Sequence, residues 1–124
     1  MISDQIKNKI SPGMVIPKPV ARADFIVKGW GKRRGEPALI YQIPNHNPFG
    51  RPYEKGITIS EFEMAYQQLD ATGFFTRKWF QANMTACDKE GSCNFTTIGG
   101  IFKLLGYARY TQGAYKSSRE VFHE

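Results

Sequence analysis

The sequence predicts an α+β fold in which an N-terminal β-hairpin precedes three helices and a C-terminal β-ribbon. Residues 25–43 contain two runs rich in β-branched and aromatic residues, separated by turn-forming residues. Residues 58–106 repeat apolar side chains at helical spacing. Residues 107–115 alternate aromatic and small side chains around a Gln-Gly pair, which is typical of a strand or small hairpin. We therefore place one domain at 25–116, between an N-terminal arm at 1–24 and a polar tail at 117–124.

Length and composition agree with one globular domain that builds its own core. The chain has 124 residues, of which 41% are hydrophobic, and it contains no apolar run long enough to cross a membrane. Its first residues lack the apolar segment of a secretory signal, so we expect a cytoplasmic protein with no membrane partner. Seventeen Lys and Arg against eleven Asp and Glu give a net charge of +6. This excess favours an anionic partner, such as nucleic acid or an acidic protein.

The N-terminal arm begins with a short amphipathic pattern. Ile2, Ile6 and Ile10 recur every four residues and predict a helix, which Pro12 and Gly13 end. The prolines that follow keep the chain extended. We expect residues 1–24 to lie outside the core, either as a strap over the domain or as a segment that docks on a second copy in a homodimer.

The β-hairpin comes next. The strands FIVKGW and ALIYQI flank GKRRGEP, whose glycines and proline favour a turn, so the hairpin has a basic tip. The following segment, residues 45–56, contains several glycines, prolines and asparagines. We interpret it as a loop.

Capping residues define the helices. Thr58 and Glu61 form a capping box, and Gly73 ends the helix that they begin. Thr76 caps a second helix, with Trp79 and Phe80 facing inward. Residues 85–94 are predicted to be a polar loop. A third helix, capped by Asn94 or Thr96 and ended by Gly106, directs a set of apolar residues to the core: Ile98, Ile101, Phe102 and Leu105.

Three helices followed directly by a ribbon resemble the element order of a winged-helix domain, over about residues 57–116. In that family the third helix enters a DNA groove and the ribbon forms the wing, so the resemblance implies DNA binding. We expect the outward side of the third helix to present Thr96, Thr97, Gly99, Gly100 and Lys103. Such a face suits close approach to a backbone better than readout of base edges.

A second resemblance rests on the blocks VKGWGKRRGEPALIYQIPN and CNFTTIGGIFKLLGYARY. Together they resemble short bacterial proteins encoded in mobile gene cassettes of the integron type. The resemblance implies a bacterial cytoplasmic protein and no catalytic residues.

The basic hairpin is the main candidate for a binding site. Lys28, Lys32, Arg33 and Arg34 surround Trp30, and the sequence nearby offers few opposing carboxylates. Cationic side chains neutralise phosphates, and an exposed indole stacks on bases. The alternative is a solvated turn whose tryptophan folds back on the sheet. Secondary candidates come from the third helix and the ribbon, and they are Thr96, Thr97, Lys103 and Arg109.

Two further patterns have structural as well as functional interpretations. The pair Gly99-Gly100 weakens a helix by about 1–2 kcal/mol, so we expect another element, or alternatively a ligand backbone, to pack closely on it. Tyr107, Tyr110 and Tyr115 alternate with basic residues on the ribbon. Tyrosines at this spacing favour one packed strand face over a stacking platform.

Catalytic and metal-binding patterns are sparse. His46 is the candidate general base of a small nuclease, with Glu36, Glu54 and Lys55 as nearby partners, and no established catalytic motif surrounds it. Cys87 and Cys93 are too far apart for a common zinc motif, and we expect free thiols and no cofactor.

The sequence thus favours nucleic-acid binding, to duplex DNA rather than RNA. The alternatives are a non-catalytic interaction module, which forms a homodimer or docks on an acidic partner, and a nuclease that uses His46.

Overall fold

The structure, a computed structural model, describes residues 1–20, 23–44 and 49–119. Its helices are α1 (Ile2–Lys9), α2 (Ile59–Thr72), α3 (Arg77–Asn83), α4 (Thr85–Glu90) and α5 (Asn94–Leu104). Its strands are β1 (Val15–Ile16), β2 (Phe25–Arg33), β3 (Glu36–Ile43), β4 (Tyr53–Thr58), β5 (Phe74–Thr76), β6 (Ala108–Thr111) and β7 (Ala114–Ser117). The α+β class is confirmed. No helix in the described part of the chain is long and apolar enough to cross a membrane.

The N-terminal sheet is antiparallel, in the order β1-β2-β3-β4, and is built on the predicted hairpin. Arg34 (φ 51°) and Gly35 (φ 77°) form its two-residue turn, and positive φ at both positions suits the twist of the strands. We predicted a loop over 45–56, which is wrong for the strand β4. Its glycine, Gly56, is needed because a Cβ there would lie 2.7 Å from side-chain atoms of Arg33 and Ile40. Residues 45–48, including His46, lie outside the described residues.

The helical part follows its predicted caps, with two exceptions. The Thr58–Glu61 capping box, the left-handed Gly73 and the Thr76 cap are all present. The loop predicted after α3 is wrong, because residues 85–90 form α4 and bury Cys87 against the core. Neither Asn94 nor Thr96 caps α5, which begins without a side-chain cap.

The C-terminal ribbon is confirmed, with Gln112 and Gly113 at positive φ in its turn. The strand β5 pairs with β7 and extends the ribbon to a three-stranded antiparallel sheet in the order β5-β7-β6. Of the tail predicted at 117–124, Ser117, Ser118 and Arg119 are described, and the prediction is wrong for Ser117, which ends the strand β7. The amide of Ser118 donates to the carbonyl of Tyr107 at 2.8 Å.

The N-terminal segment lies across the domain, and we call residues 1–20 the strap. Our expectation that it lies outside the core is wrong, because Ile2, Ile6, Ile10 and Ile16 are each 6% exposed or less and belong to the main core. Burying each such side chain stabilises the folded protein by about 1.5–3 kcal/mol, and this burial holds the strap against the rest of the domain. The strand β1 also pairs with β2.

The helix α5 is buried along most of its length. A Cβ at Gly99 would lie 2.1 Å from the ring of Tyr115, and one at Gly100 would lie 2.4 Å from the carbonyl oxygen of Pro17 in the strap. The two glycines therefore allow Tyr115 and the strap to pack closely on α5. This confirms the prediction that another element packs on the Gly99-Gly100 pair. The expected outward positions of Thr97, Gly99 and Gly100 are wrong, since all three residues are buried.

Candidate nucleic-acid interface

The basic hairpin tip (Lys32, Arg33, Arg34 and Gly35) contacts carboxylates from distant elements. Arg34 binds Glu61 in the first turn of α2 through two hydrogen bonds, Nε–Oε2 at 2.9 Å and Nη2–Oε1 at 2.6 Å. Its Nη1 also donates to Glu90 at the end of α4. Partial burial alone would lower the pKa of Arg34, but the hydrogen bonds to both carboxylates outweigh burial and raise it. Arg34 therefore joins the hairpin to two helices.

Glu90 also protects an open sheet edge. Its Oε2 accepts from Arg33 Nε at 3.3 Å and from the backbone amide of Gly56 at 3.2 Å. Arg34 Nη2 donates to the carbonyl of the same Gly56 at 2.9 Å. Because β4 is an edge strand, these contacts satisfy backbone groups that would otherwise be open to another strand.

The remaining hairpin candidates differ in their surroundings. Lys28 Nζ donates to Glu54 at 2.6 Å, and this hydrogen bond lowers the pKa of Glu54. Trp30 is 41% exposed. Lys32 is exposed and has no ion pair within the part of the chain that the structure describes. Three of the four predicted phosphate ligands are thus already paired with carboxylates.

A second cationic surface lies where the strap meets the start of α5. We call it the strap groove. It is a concave region of about 350 Å³ lined by Lys18, Pro19, Val20, Arg77, Ser92, Cys93, Thr96 and Tyr110. The strap, the start of α3, the start of α5 and the strand β6 each contribute to it, so no short motif could have revealed it.

The cations of the strap groove rest on aromatic rings. Lys18 Nζ lies 3.5 Å from the centroid of the Phe25 ring, and the Arg77 guanidinium lies 4.7 Å from that of Phe95. Arg77 Nη1 also donates to the carbonyl of Ser92 at 2.9 Å. Burial lowers the pKa of Lys18. Within the ranges that the structure describes, neither cation forms a salt bridge with a carboxylate, and no acidic residue lines the groove.

A buried polar network contacts Cys93, one of the residues that line the strap groove. Tyr41 Oη donates to Asn94 Oδ1 at 2.5 Å and lies 3.3 Å from Cys93 Sγ. Asn94 Nδ2 in turn donates to the carbonyl of Cys87 at 2.9 Å. Burial raises the pKa of Tyr41, so its phenol stays protonated and holds the first residue of α5 in place.

The secondary candidates are not brought together. Thr96 lines the strap groove, where its hydroxyl donates to the carbonyl of Cys93 at 3.1 Å. Thr97 is 0% exposed and is inaccessible to a ligand. Lys103 lies seven residues further along α5, about 10 Å from Thr96 along the helix axis. Arg109 is exposed on β6.

Metal and thiol chemistry has little support in the residues described. Those residues contain no group of three or more His, Cys, Asp or Glu side chains placed to hold a metal ion. Cys87 is a buried free thiol and Cys93 a half-buried one.

No protein-family model, curated protein or solved structure matches this chain. The resemblances to winged-helix domains and to integron cassette proteins therefore stay predictions. The geometry of the two cationic surfaces is the basis for assigning a function.

Proposed function

We propose that this protein binds nucleic acid and that the strap groove holds its phosphates. The observation that carries the proposal is the pair of cations Lys18 and Arg77, which line one concave surface to which none of the described acidic residues contributes. Lysine and arginine neutralise phosphates and release their counterions, and this term dominates nucleic-acid affinity. The net charge of +6 adds long-range attraction for the same ligand.

The other lining groups suit a sugar–phosphate backbone. Ser92 and Thr96 supply hydroxyls, which commonly bind phosphate oxygens. Tyr110 is 40% exposed and offers a ring beside the cations. The hydroxyl of Tyr115 donates to the carbonyl of Thr96 at 3.3 Å and braces this side of the groove.

The proposal moves the interface away from the hairpin tip. At the tip, a phosphate would have to displace Glu61 or Glu90 from Arg34. In contrast, Lys18 and Arg77 form no salt bridge with any carboxylate that the structure describes. The cytoplasm is the compartment that we assign to the protein, because free thiols persist there beside nucleic acids.

The test is a fluorescence-anisotropy titration of labelled 30-nucleotide DNA, as single strand and as duplex, at several salt concentrations. We expect the native protein to bind, with affinity that falls steeply as salt rises. The double variant Lys18→Gln/Arg77→Gln should bind more weakly and lose about 1.4–1.8 from its log–log salt slope, the value for two phosphate contacts.

The matched control is Lys7→Gln/Lys9→Gln, which removes the same charge from exposed positions on α1. Equal losses in the two double variants would show that net charge, and not the groove, produces the binding. Absence of binding to every DNA at low salt would refute the function itself.

A further inference from the structure

The outer face of the C-terminal sheet carries an aromatic and cationic row. Backbone pairing places Phe74 of β5 opposite Lys116 of β7, and Lys116 opposite Arg109 of β6. Residues that pair directly across strands point to the same face of a sheet. We call this row the ribbon platform (Phe74, Lys116 and Arg109).

Strand alternation separates the ribbon platform from the core. The neighbouring row consists of Phe75, Tyr115 and Tyr110. Phe75 is 0% and Tyr115 is 1% exposed, so this face of the sheet packs on the core, while Tyr110 on the edge strand β6 borders the strap groove. The ribbon platform therefore faces outward. Its aromatic residue, Phe74, is 45% exposed although Phe75 beside it is fully buried.

On the outer face of the C-terminal sheet, strand pairing defines two rows of residues, and the charged side chains in these rows are all positive. Lys116 Nζ lies 5.9 Å from the centroid of the Phe74 ring, and Arg109 is exposed one strand further on. The adjacent outward row holds Thr76, Ala114 and Thr111 and contributes no carboxylate. Phe74 and Arg109 are about 10 Å apart, two strand spacings. An exposed ring thus lies beside one cation, Lys116, and a second cation, Arg109, lies one strand further along the same face.

We propose that the ribbon platform stacks a base on Phe74 while Lys116 and Arg109 bind the adjoining phosphates, so that the partner is single-stranded nucleic acid. This inference rests on the proposed function and specifies its ligand. Sheet-borne aromatics beside basic residues recognise single strands because the unpaired bases expose their faces. In a duplex those faces are stacked on one another.

The burial of α5 favours the same ligand. Duplex readout in the major groove needs an exposed helix or ribbon with side chains that reach base edges. Most of α5 is buried between the strap and Tyr115, and its Thr97 is inaccessible. The duplex expectation relied on the basic hairpin and on a winged-helix-like unit in which this helix would enter the groove. The surfaces that remain open suit stacking and phosphate contact.

The experiment compares a 30-nucleotide single strand with its own duplex, using the full chain. We expect the single strand to bind at least tenfold more tightly. Phe74→Ala should weaken single-strand binding about tenfold, because one stacked base is lost, while Phe74→Trp should retain it. The matched control is Tyr53→Ala, which removes an aromatic side chain that is 59% exposed on β4. It should leave binding unchanged.

A second variant, Arg109→Gln/Lys116→Gln, tests the ribbon platform if Phe74→Ala does not fold. It should lower both the affinity for the single strand and the salt slope of binding. Preference for the duplex, or platform variants that bind like native protein, would overturn this inference and leave phosphate binding in the strap groove standing. If the native protein binds neither strand form at low salt, the proposed function and this inference fail together.

Discussion

The hairpin tip and the strap groove are both cationic, but their cations have different partners. Arg34 of the tip is bound to Glu61 and Glu90, and Arg33 is bound to Glu90. In the groove, Lys18 and Arg77 lie against the rings of Phe25 and Phe95. An aromatic ring attracts a cation without neutralising its charge. A basic cluster in a sequence therefore indicates a binding surface only if the fold leaves its charge unpaired.

Of the substitutions that distinguish the strap groove from the hairpin tip, Gly100→Val should cause the largest loss of folding stability. The new side chain would collide with Pro17, since even a Cβ would lie 2.4 Å from its carbonyl oxygen. We expect a loss of about 3 kcal/mol of stability, since overpacking commonly costs about 1–3 kcal/mol and the displaced atoms here are backbone. Urea unfolding measures it. Binding of DNA should fall because the strap carries Lys18.

The control for that prediction is a glycine whose added Cβ meets open space. Gly13 lies in the strap with a φ of 90°, and nothing lies within 4 Å of its Cβ position. Gly13→Asn introduces a residue that tolerates a positive φ, and we expect little loss of DNA binding. Native-like stability of Gly100→Val would mean that the strap does not press on α5.

A smaller loss of stability is expected from Arg34→Gln at the hairpin tip. The substitution leaves Glu61 and Glu90 without their shared cation, and we expect about 2 kcal/mol, below the value for a fully buried pair because these side chains are 15–24% exposed. Chemical denaturation measures the change. The affinity for DNA should stay within twofold of native.

Lys32→Gln is the matched control, because its charge lies in the same turn and forms no ion pair with any described residue. Its stability should change by less than about 0.5 kcal/mol. The interpretation of the tip is wrong if Arg34→Gln keeps its stability and loses DNA affinity.

The smallest expected effect is a loss of folding stability at alkaline pH. The pH at which this loss begins should differ between the region of the hairpin tip and that of the strap groove. Burial raises the pKa of Cys87 above its ordinary 9.0 and that of Tyr41 above its ordinary 10.0. Below pH 9 both groups are protonated in the folded and unfolded chain, so their contribution to stability is complete. As pH rises further, the unfolded chain loses these protons first, and stability falls by about 1.4 kcal/mol per pH unit for each group.

Cys87 lies close to Glu61 and Arg34, on the side of the tip, whereas Tyr41 contacts Cys93 of the strap groove and donates to Asn94. Cys87→Ala should therefore move the onset of the loss from about pH 9 to about pH 10. Denaturant midpoints measured at several pH values supply the test. An unchanged onset in the variant would assign the loss to other groups.

Local structure was more predictable from the sequence than the site. Caps such as Thr58 and Gly73, and the turn at Gln112-Gly113, act through neighbours a few residues away, so their patterns are visible in the chain. The strand β4 was missed because its glycine and flanking proline favour a loop, while its pairing with β3 depends on tertiary contact. The prediction that Thr97 faces outward was wrong because other elements pack on more sides of α5 than its apolar stripe indicates.

The paired state of the hairpin tip depends on residues that are distant in sequence. Glu61 and Glu90 lie 27 and 56 residues from Arg34. Likewise, Lys18 and Arg77 line one groove only because the strap packs against α5, which brings two residues distant in sequence to the same surface. Contacts of this range follow from the assembled fold, and no local pattern signals them. Arg109 could be predicted as a ligand, but the platform it shares with Phe74 required the strand register.

The strap has a consequence for the order of folding during synthesis. Its isoleucines leave the ribosome before α5, because Gly100, against which the strap rests, is made more than eighty residues after Pro17. Until α5 emerges, Ile2, Ile6, Ile10 and Ile16 have no complete surface to cover. Closure of such a long-range contact is slow relative to local helix formation. The nascent chain therefore carries these four isoleucines incompletely covered until α5 has been made, and the strap packs fully onto the domain only after that helix.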